Sequence, residues 1–338
     1  MANKTNKRVS SRDVARLAGV SQATVSRVFT PGKQVSEDKR RRVLEAAESL
    51  NYKPSVIARS LIQNSTKIIG IVLQKFENLF YVRALDLFTQ KLQSLGYSVM
   101  LFDINGNHAV EDTLPIALQY QVDGVIITSA TLSSPLVEEC SRFETPVVLF
   151  NRVNEGGNVH SVCTDNKNAG RDIAEYLLSK GHRKISYIAG ERGSSTNRNR
   201  EAGFTERLRE AGLQLFSRAE GDFEYPSGLQ ASREILSAEN HPSAVFCSSD
   251  YMAMALINVA TSEFGLRVPE DISVIGFDDI PMASWPNYNL TTYLQYTEKL
   301  VDNTITVLLD ALNDPDMPIA HQFLQGRLVE RGTVKELV

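Results

Sequence analysis

Ser11-Arg12-Asp13-Val14-Ala15-Arg16-Leu17-Ala18-Gly19-Val20-Ser21-Gln22-Ala23-Thr24-Val25-Ser26-Arg27-Val28-Phe29 carries two short helices and the corner between them. Val14, Leu17 and Ala18 fall at i, i+3 and i+4, the spacing of one helix face. Ser10 or Ser11 caps its start and Asp13 sits in the first turn. Gly19 stands where the chain leaves the helix and needs a positive φ. Val20 plugs the corner, and Ser21 caps a second helix whose inner face is Val25, Val28 and Phe29. The pattern is a helix-turn-helix. The second helix opens with the short or polar side chains of Gln22, Ala23 and Thr24, followed by Ser26 and Arg27. Such a helix can lie in a DNA major groove: small residues allow close approach, Gln and Arg read base edges, and hydroxyls reach phosphate. Taken alone, the same pattern also fits a helical corner in an ordinary globular domain.

The charge distribution favours the DNA reading. Residues 1–65 hold 13 Lys and Arg against 5 Asp and Glu, a surplus of eight; the remainder holds 23 against 35, a deficit of twelve. A basic module on an acidic body predicts a nucleic-acid partner for the module alone. A third helix, from Val35-Ser36-Glu37 with Ser36 as cap, brings Val43, Leu44, Ala47 and Leu50 to the headpiece core. Its run Lys39-Arg40-Arg41-Arg42 reads either as a solvated face or as phosphate contacts. Pro54 opens a short helix over 55–61, too brief to be stable alone in water.

Asp13-Val14-Ala15, Ala18-Gly19-Val20-Ser21 and Thr24-Val25-Ser26-Arg27-Val28 resemble the headpiece of the lactose repressor and purine repressor family. Asn51-Tyr52-Lys53-Pro54-Ser55-Val56-Ile57-Ala58-Arg59-Ser60-Leu61 is similar to that family's hinge. The chain departs from the family at Thr30-Pro31-Gly32, where an asparagine usually follows the recognition helix. The resemblance implies DNA contacts from Ser21, Gln22, Ala23, Thr24, Ser26 and Arg27. It adds Ser36, Arg40 and Tyr52, with Ala58 and Leu61 from a hinge that folds when two copies pair on DNA. Leu61 is then an apolar wedge in the minor groove, a device that kinks the duplex. Without the resemblance, Leu61 reads as an anchor packed on the body below.

Beyond the linker Gln63-Asn64-Ser65-Thr66, strands and helices alternate. Strands are expected at 68–73, 98–102, 124–127 and 146–150, with helices at 80–95, 110–120 and 135–143. A second set follows, with helices at 168–180, 197–211, 226–236 and 251–264 and strands at 184–188, 244–246 and 272–276. A helix over 298–312 and strands near 323–324 and 328–329 close the chain. This alternation predicts parallel doubly wound sheets, with a ligand cleft at the strand carboxyl ends. The expected architecture is a small all-α helix-turn-helix headpiece plus an α/β, periplasmic-binding-protein-like body of two doubly wound parallel-sheet subdomains. The headpiece takes residues 1–54, and the hinge and linker 55–66. The effector-binding and dimerisation domain takes 67–338. By resemblance, the chain passes between the two subdomains near Thr164, Leu294 and Gly326, giving 67–164 with 295–326 and 165–294 with 327–338.

Candidate ligand contacts stand where strands end: Phe80 and Tyr81, Asn151 and Arg152, Ser194 and Arg200, Phe223, Asp250 and Asp278. The loop Gly190 to Thr196 has the composition of an anion cradle but lacks a P-loop ending. Phe80 and Tyr81 read equally well as core; without the family resemblance the charged residues read as solvated loop positions. Asp250 reads equally well as a helix cap. The resemblance makes Arg200 the family's cleft arginine and Asp278 its cleft aspartate. An aspartate across two hydroxyls, an arginine and flat aromatics suit a sugar; a nucleobase or other non-sugar corepressor is the alternative.

Nucleophile-elbow, zincin and dinucleotide-binding motifs are absent, so an enzyme is not expected, nor any cofactor besides a small-molecule effector. Cys140, Cys163 and Cys247 lack redox or metal spacing and read as free thiols. Met1 to Arg8 is not a secretory signal, and no stretch is long enough to span a bilayer, so a cytoplasmic location and no membrane partner are expected. A sugar-binding transport protein, the rival reading of the body, needs a signal peptide and carries no headpiece. The expected protein is an allosteric transcriptional repressor acting on a pseudo-palindromic operator as a homodimer, with a dimer of dimers left open.

Overall fold

A computed structural model of the chain describes residues 9–29, 32–53, 65–73, 78–104, 110–128, 144–154, 156, 158–237 and 240–337. It divides into two compact units, Met1–Lys67 and Ile68–Val338. In the first, α1 (Ser11–Ala18), α2 (Gln22–Val28) and α3 (Glu37–Ser49) enclose a small core of Val14, Ala15, Ala18, Val25, Val28, Val43, Ala46 and Ala47. Asp13 reaches back to accept from the Ser10 amide at 3.0 Å, closing the first turn of α1. Gly19, at φ 62°, ends it, and the Ser21 hydroxyl accepts from the Thr24 amide at the start of α2.

Leu17 and Leu44 correct the expected core, being 57% and 45% exposed. The face of α1 that turns inward is Val14, Ala15 and Ala18, and that of α3 is Val43, Ala46 and Ala47. A leucine one position off a narrow stripe is carried to its edge, because short helices crossing at close range use small residues at the contact. Ser36 stands at the N-cap of α3, but its hydroxyl makes no capping hydrogen bond. The 55–61 segment, with Ala58 and Leu61, lies outside the described residues, as do Thr30, Pro31, Cys140 and the helix expected over 135–143.

The second unit holds two six-stranded sheets. The first runs in the order β11-β5-β4-β3-β1-β2, from β1 (Ile68–Leu73), β2 (Ser98–Asp103), β3 (Gly124–Ile127), β4 (Val147–Phe150), β5 (His160–Thr164) and β11 (His321–Leu324). The second runs β12-β10-β9-β8-β6-β7, from β6 (Ile185–Ala189), β7 (Arg218–Glu220), β8 (Ala244–Cys247), β9 (Ser273–Asp278), β10 (Thr291–Leu294) and β12 (Arg327–Val329). The pairings are parallel except for β10 with β12. The central strands are buried on both faces, as parallel sheets covered by crossover helices require.

The covering helices are α4 (Leu79–Ser94), α5 (Val110–Gln119), α6 (Asn166–Ser179), α7 (Ser195–Glu210), α8 (Tyr225–Leu236), α9 (Asp250–Ser262) and α10 (Thr297–Asn313). The chain passes from the first sheet to the second between β5 and α6. It returns between β10 and α10, and crosses again between β11 and β12. β5, β7 and β10 have no counterpart among the expected strands. They are three to five residues long and carry Ser, Thr, Arg or Glu. Their strand character comes from neighbours in the sheet rather than from local pattern.

The α6–α7 contact matters most for the site. A Cβ on Gly203 would lie 1.8 Å from the Lys167 carbonyl oxygen, and one on Gly170 2.1 Å from that of Arg200. The two glycines therefore let the helix backbones touch. That approach brings Asn166, at the start of α6, against Arg200, one turn before Gly203.

Candidate functional site

Strand ends from both sheets converge on one cavity that opens to solvent. From the first sheet it receives Asn78, Phe80 and Tyr81 at the start of α4, and Asn151 and Arg152 after β4. From the second come Thr196 and Arg200 on α7, Phe223 after β7, and Asp278 at the end of β9. Three lining residues hold left-handed backbone: Asn151 at φ 55°, Phe223 at 59° and Asp278 at 122°. For residues other than glycine this costs about 1–3 kcal/mol each, strain that clusters where side chains are aimed at a ligand. Each stands at or just beyond the end of a strand, so the turn swings the side chain across the end of its sheet.

Arg200 is 2% exposed. Its Nε and Nη2 donate to the Asn166 Oδ1 at 3.0 and 2.7 Å, and its Nη1 donates to the Ser248 carbonyl oxygen. The guanidinium carbon lies 3.3 Å from the ring centre of Phe277, within an aromatic layer that includes Tyr293 and Phe246. Desolvation lowers the Arg200 pKa, partly offset by Asp278. Arg152 is also buried; its Nη1 donates to the Thr196 hydroxyl at 2.8 Å, and Glu191 stands 3.8 Å from its Nη2. Burial pushes the Asp278 carboxyl up to about 8, against the pull of Arg200. Its Oδ1 accepts from Gln295 Nε2 at 2.6 Å.

Phe80 stacks on Phe150 at 6.0 Å and meets Tyr81 edge-on at 5.2 Å, so both rings line the cavity and also belong to the core. Burial raises the Tyr81 pKa, keeping its phenol a hydrogen-bond donor.

The cavity therefore gathers Phe80, Tyr81, Asn151, Arg152, Arg200, Phe223 and Asp278, and adds Asn78 and Thr196, which sequence reasoning missed. Asn78 also caps α4, and Thr196 lies in the first turn of α7. Neither position carried a pattern beyond that of a helix start.

Two expected contacts, Asp250 and Ser194, lie off the cavity lining. Asp250 does not line the cavity: it is fully buried, accepting from the Thr292 hydroxyl and from the Ile280 amide at 2.9 Å. Ser249, not Asp250, caps α9. Ser194 likewise lies off the lining and caps α7 through the Asn197 amide. In the loop from Gly190, the Gly190 amide donates to Asn197 Oδ1 at 2.7 Å and is not offered to an anion.

In the first unit, Gln22, Ala23 and Arg27 are exposed on one face of α2, and Thr24 and Ser26 are half-buried beside them. Gln22 Nε2 donates to the Ser11 hydroxyl at 2.9 Å, a bond from α2 to the first residue of α1. Arg40 Nη1 donates to the Val28 carbonyl oxygen at 3.3 Å, and Arg42 to those of Ala18 and Gly19. These two arginines close the carbonyl ends of α2 and α1, a use of the basic run that its sequence did not suggest. Tyr52 packs against Phe29 at 6.0 Å. Among the described residues, no helix is long and apolar enough to cross a membrane.

Residues 12–55 match the domain described as bacterial regulatory proteins, lacI family, and residues 174–334 match a periplasmic binding protein-like domain. The HTH-type transcriptional repressor PurR of Photobacterium profundum is 33% identical over 330 residues, covering 96% of this chain and 98% of the relative. The chain belongs to the lacI family of bacterial regulatory proteins. That family is one of transcriptional regulators, not enzymes, and lacI-family relatives share the architecture too. The lac repressor dimer bound to operator and the anti-inducer ONPF superposes with a TM-score of 0.88 at 28% identity, covering 97% of this chain and 100% of that one. The CelR–cellobiose complex follows the same fold with a TM-score of 0.71 at 29% identity, over 96% of this chain and 100% of that one. The helix-turn-helix headpiece and the two parallel-sheet halves of a periplasmic-binding-protein-like body are thus features of the lacI family. The protein is a DNA-binding repressor under effector control.

Proposed function

We propose that the cavity between the two sheets binds a sugar, and that its occupancy sets the affinity of a homodimer for a pseudo-palindromic operator read by α2. The observation that carries the reading is the convergence of two guanidinium groups, one carboxyl group and three aromatic rings from several strand ends on one cavity. Asp278 and Arg200 supply the polar contacts, while Phe80 and Phe223 supply apolar surface. Gln22, Ala23 and Arg27 read base edges, with Ser21, Thr24 and Ser26 on the backbone. The protein acts in the cytoplasm, where its operator lies.

A nucleobase is the second reading. It is favoured by the relatives named PurR and by the flat rings on the cavity wall. A thermal-shift panel of monosaccharides and purine bases separates the two, because a ligand bound only by the folded state raises the melting temperature by mass action. A monosaccharide that raises it in wild type but not in Asp278→Ala is the expected result. A purine base alone doing so would replace the first reading with the second. Binding-site selection with the full chain tests the DNA half: enrichment of a sequence with two-fold symmetry is expected, and no enrichment would overturn it.

A further inference from the structure

Two ionisable side chains of the cavity, Arg200 and Asp278, are tied to two of the three places where the chain passes between the two halves. The first passage runs from Thr164, the last residue of β5, to Asn166, the first of α6; the second runs from Leu294 through Gln295 to α10. Thr164, Asn166 and Gln295 are all polar and 1–3% exposed. Buried polar groups at such positions cost folding free energy unless they are hydrogen-bonded, and here the bonds form a connected set. Gln295 Nε2 donates to Asp278 Oδ1 at 2.6 Å, and Gln295 Oε1 accepts from the Thr164 hydroxyl at 2.6 Å. Asn166 Nδ2 donates to the Thr164 carbonyl oxygen at 2.9 Å, while Asn166 Oδ1 holds Arg200. Asp278, Gln295, Thr164, Asn166 and Arg200 thus make one unbroken chain of contacts across both passages.

We propose that Gln295 is a positioning residue that transmits occupancy of the cavity to the two passages. The inference rests on the reading that the cavity holds the effector. Gln295 does not line the cavity; it acts through Asp278. The Asp278 Oδ1 accepts from the amide nitrogen of Gln295, which leaves the amide oxygen, an acceptor alone, to face Thr164. A ligand that draws Asp278 toward a hydroxyl or ring N–H moves the Gln295 amide and, with it, Thr164. Thr164 and Gln295 stand at two of the three passages about which one half can turn against the other. Coupling of this kind is a differential free energy between two arrangements, not a wire. Gln295 supplies it because each of its two polar atoms bonds a different segment.

The test uses the full chain, with D-ribose and hypoxanthine as probes and the operator obtained by selection. Wild type and Gln295→Met, which keeps side-chain length but loses both bonds, are titrated with each probe and then with operator at saturating probe. In wild type, the probe that binds changes operator affinity by ~5–150-fold. In Gln295→Met, the probe still binds but changes operator affinity by less than ~2-fold, with the melting temperature of the empty protein kept as a control for folding. Full coupling retained in Gln295→Met overturns the proposal. If neither probe binds wild type, the proposed ligand classes fail instead, and the relay is read without a ligand. Thr164→Val and Asp278→Asn are then combined in a double-mutant stability cycle, in the wild-type and Gln295→Met backgrounds. Non-additivity in the first that vanishes in the second is expected; additivity in both overturns it.

Discussion

At the scale of single residues, Asp278 concentrates the chemistry. Burial holds its carboxyl protonated up to about pH 8, although Arg200 and Arg152 pull the other way and Asp250 adds to the rise. Unfolded, the same carboxyl ionises near pH 4. Between those values the folded chain carries the extra proton, so this group makes stability fall as pH rises across the window. The melting temperature of the empty protein should decline more steeply from pH 5 to pH 8 in wild type than in Asp278→Asn; equal slopes would contradict the assignment. Arg200 is used through the shape of its guanidinium, with two bonds to Asn166 and one face on Phe277. Arg200→Lys keeps the charge but loses the fork and the stacking. It should weaken ligand binding at least ~10-fold, a loss of about 1.4 kcal/mol read by calorimetry. Arg200 and Asp278 were legible through their places after strands and through the family resemblance. Nothing local distinguished them from Asp250, which shares its residue type and its kind of position with Asp278. What separates the two acids is that Thr292 and Ile280 turn Asp250 inward, a pairing between segments distant in sequence.

At the scale of elements, the long strands and helices were legible because their patterns are local. The apolar run of β1 and the cap at Ser21 mark their elements without help from the rest of the chain. β5, β7 and β10 were not legible, because short polar strands are made by their neighbours. The close approach of α6 and α7 was hidden for the same reason: Gly170 and Gly203 look like weak points in a helix until the partner backbone is in place. Gly203→Ala should therefore destabilise the second unit by about 1–3 kcal/mol through overpacking, and push Arg200 away from Asn166. Denaturant unfolding measures the first effect and ligand affinity the second; an unchanged protein would show that the helices can part freely. In the headpiece, Gln22 is exposed at the start of α2. Gln22→Ala should relax preference at one operator position by about 1–3 kcal/mol while sparing the others. Identical selected sequences for mutant and wild type would remove Gln22 from base reading. Arg40 is a poorer choice for testing phosphate contact, because it also closes the end of α2. The roles expected of Ala58 and Leu61 stay sequence-based expectations, to be tested by comparing losses on operator and on random DNA for Leu61→Ala.

At the scale of the whole molecule, a DNA-reading headpiece is joined to a body with a polar cavity. The family assignment fixes that pairing of parts, while the residues at the cavity and at Gln295 say how the parts are proposed to communicate. A ligand shifts the balance between two arrangements of the body only by its differential affinity for them. That requirement makes the central claim quantitative, because linkage is reciprocal: operator must change ligand affinity by the factor by which ligand changes operator affinity. The direct measurement is calorimetric titration of the full chain with the panel's tightest ligand, in the absence and presence of saturating operator. A difference in affinity of ~5–150-fold between the two titrations, matched by the same factor in operator binding, is the predicted result. Equal ligand affinity with and without operator would contradict it.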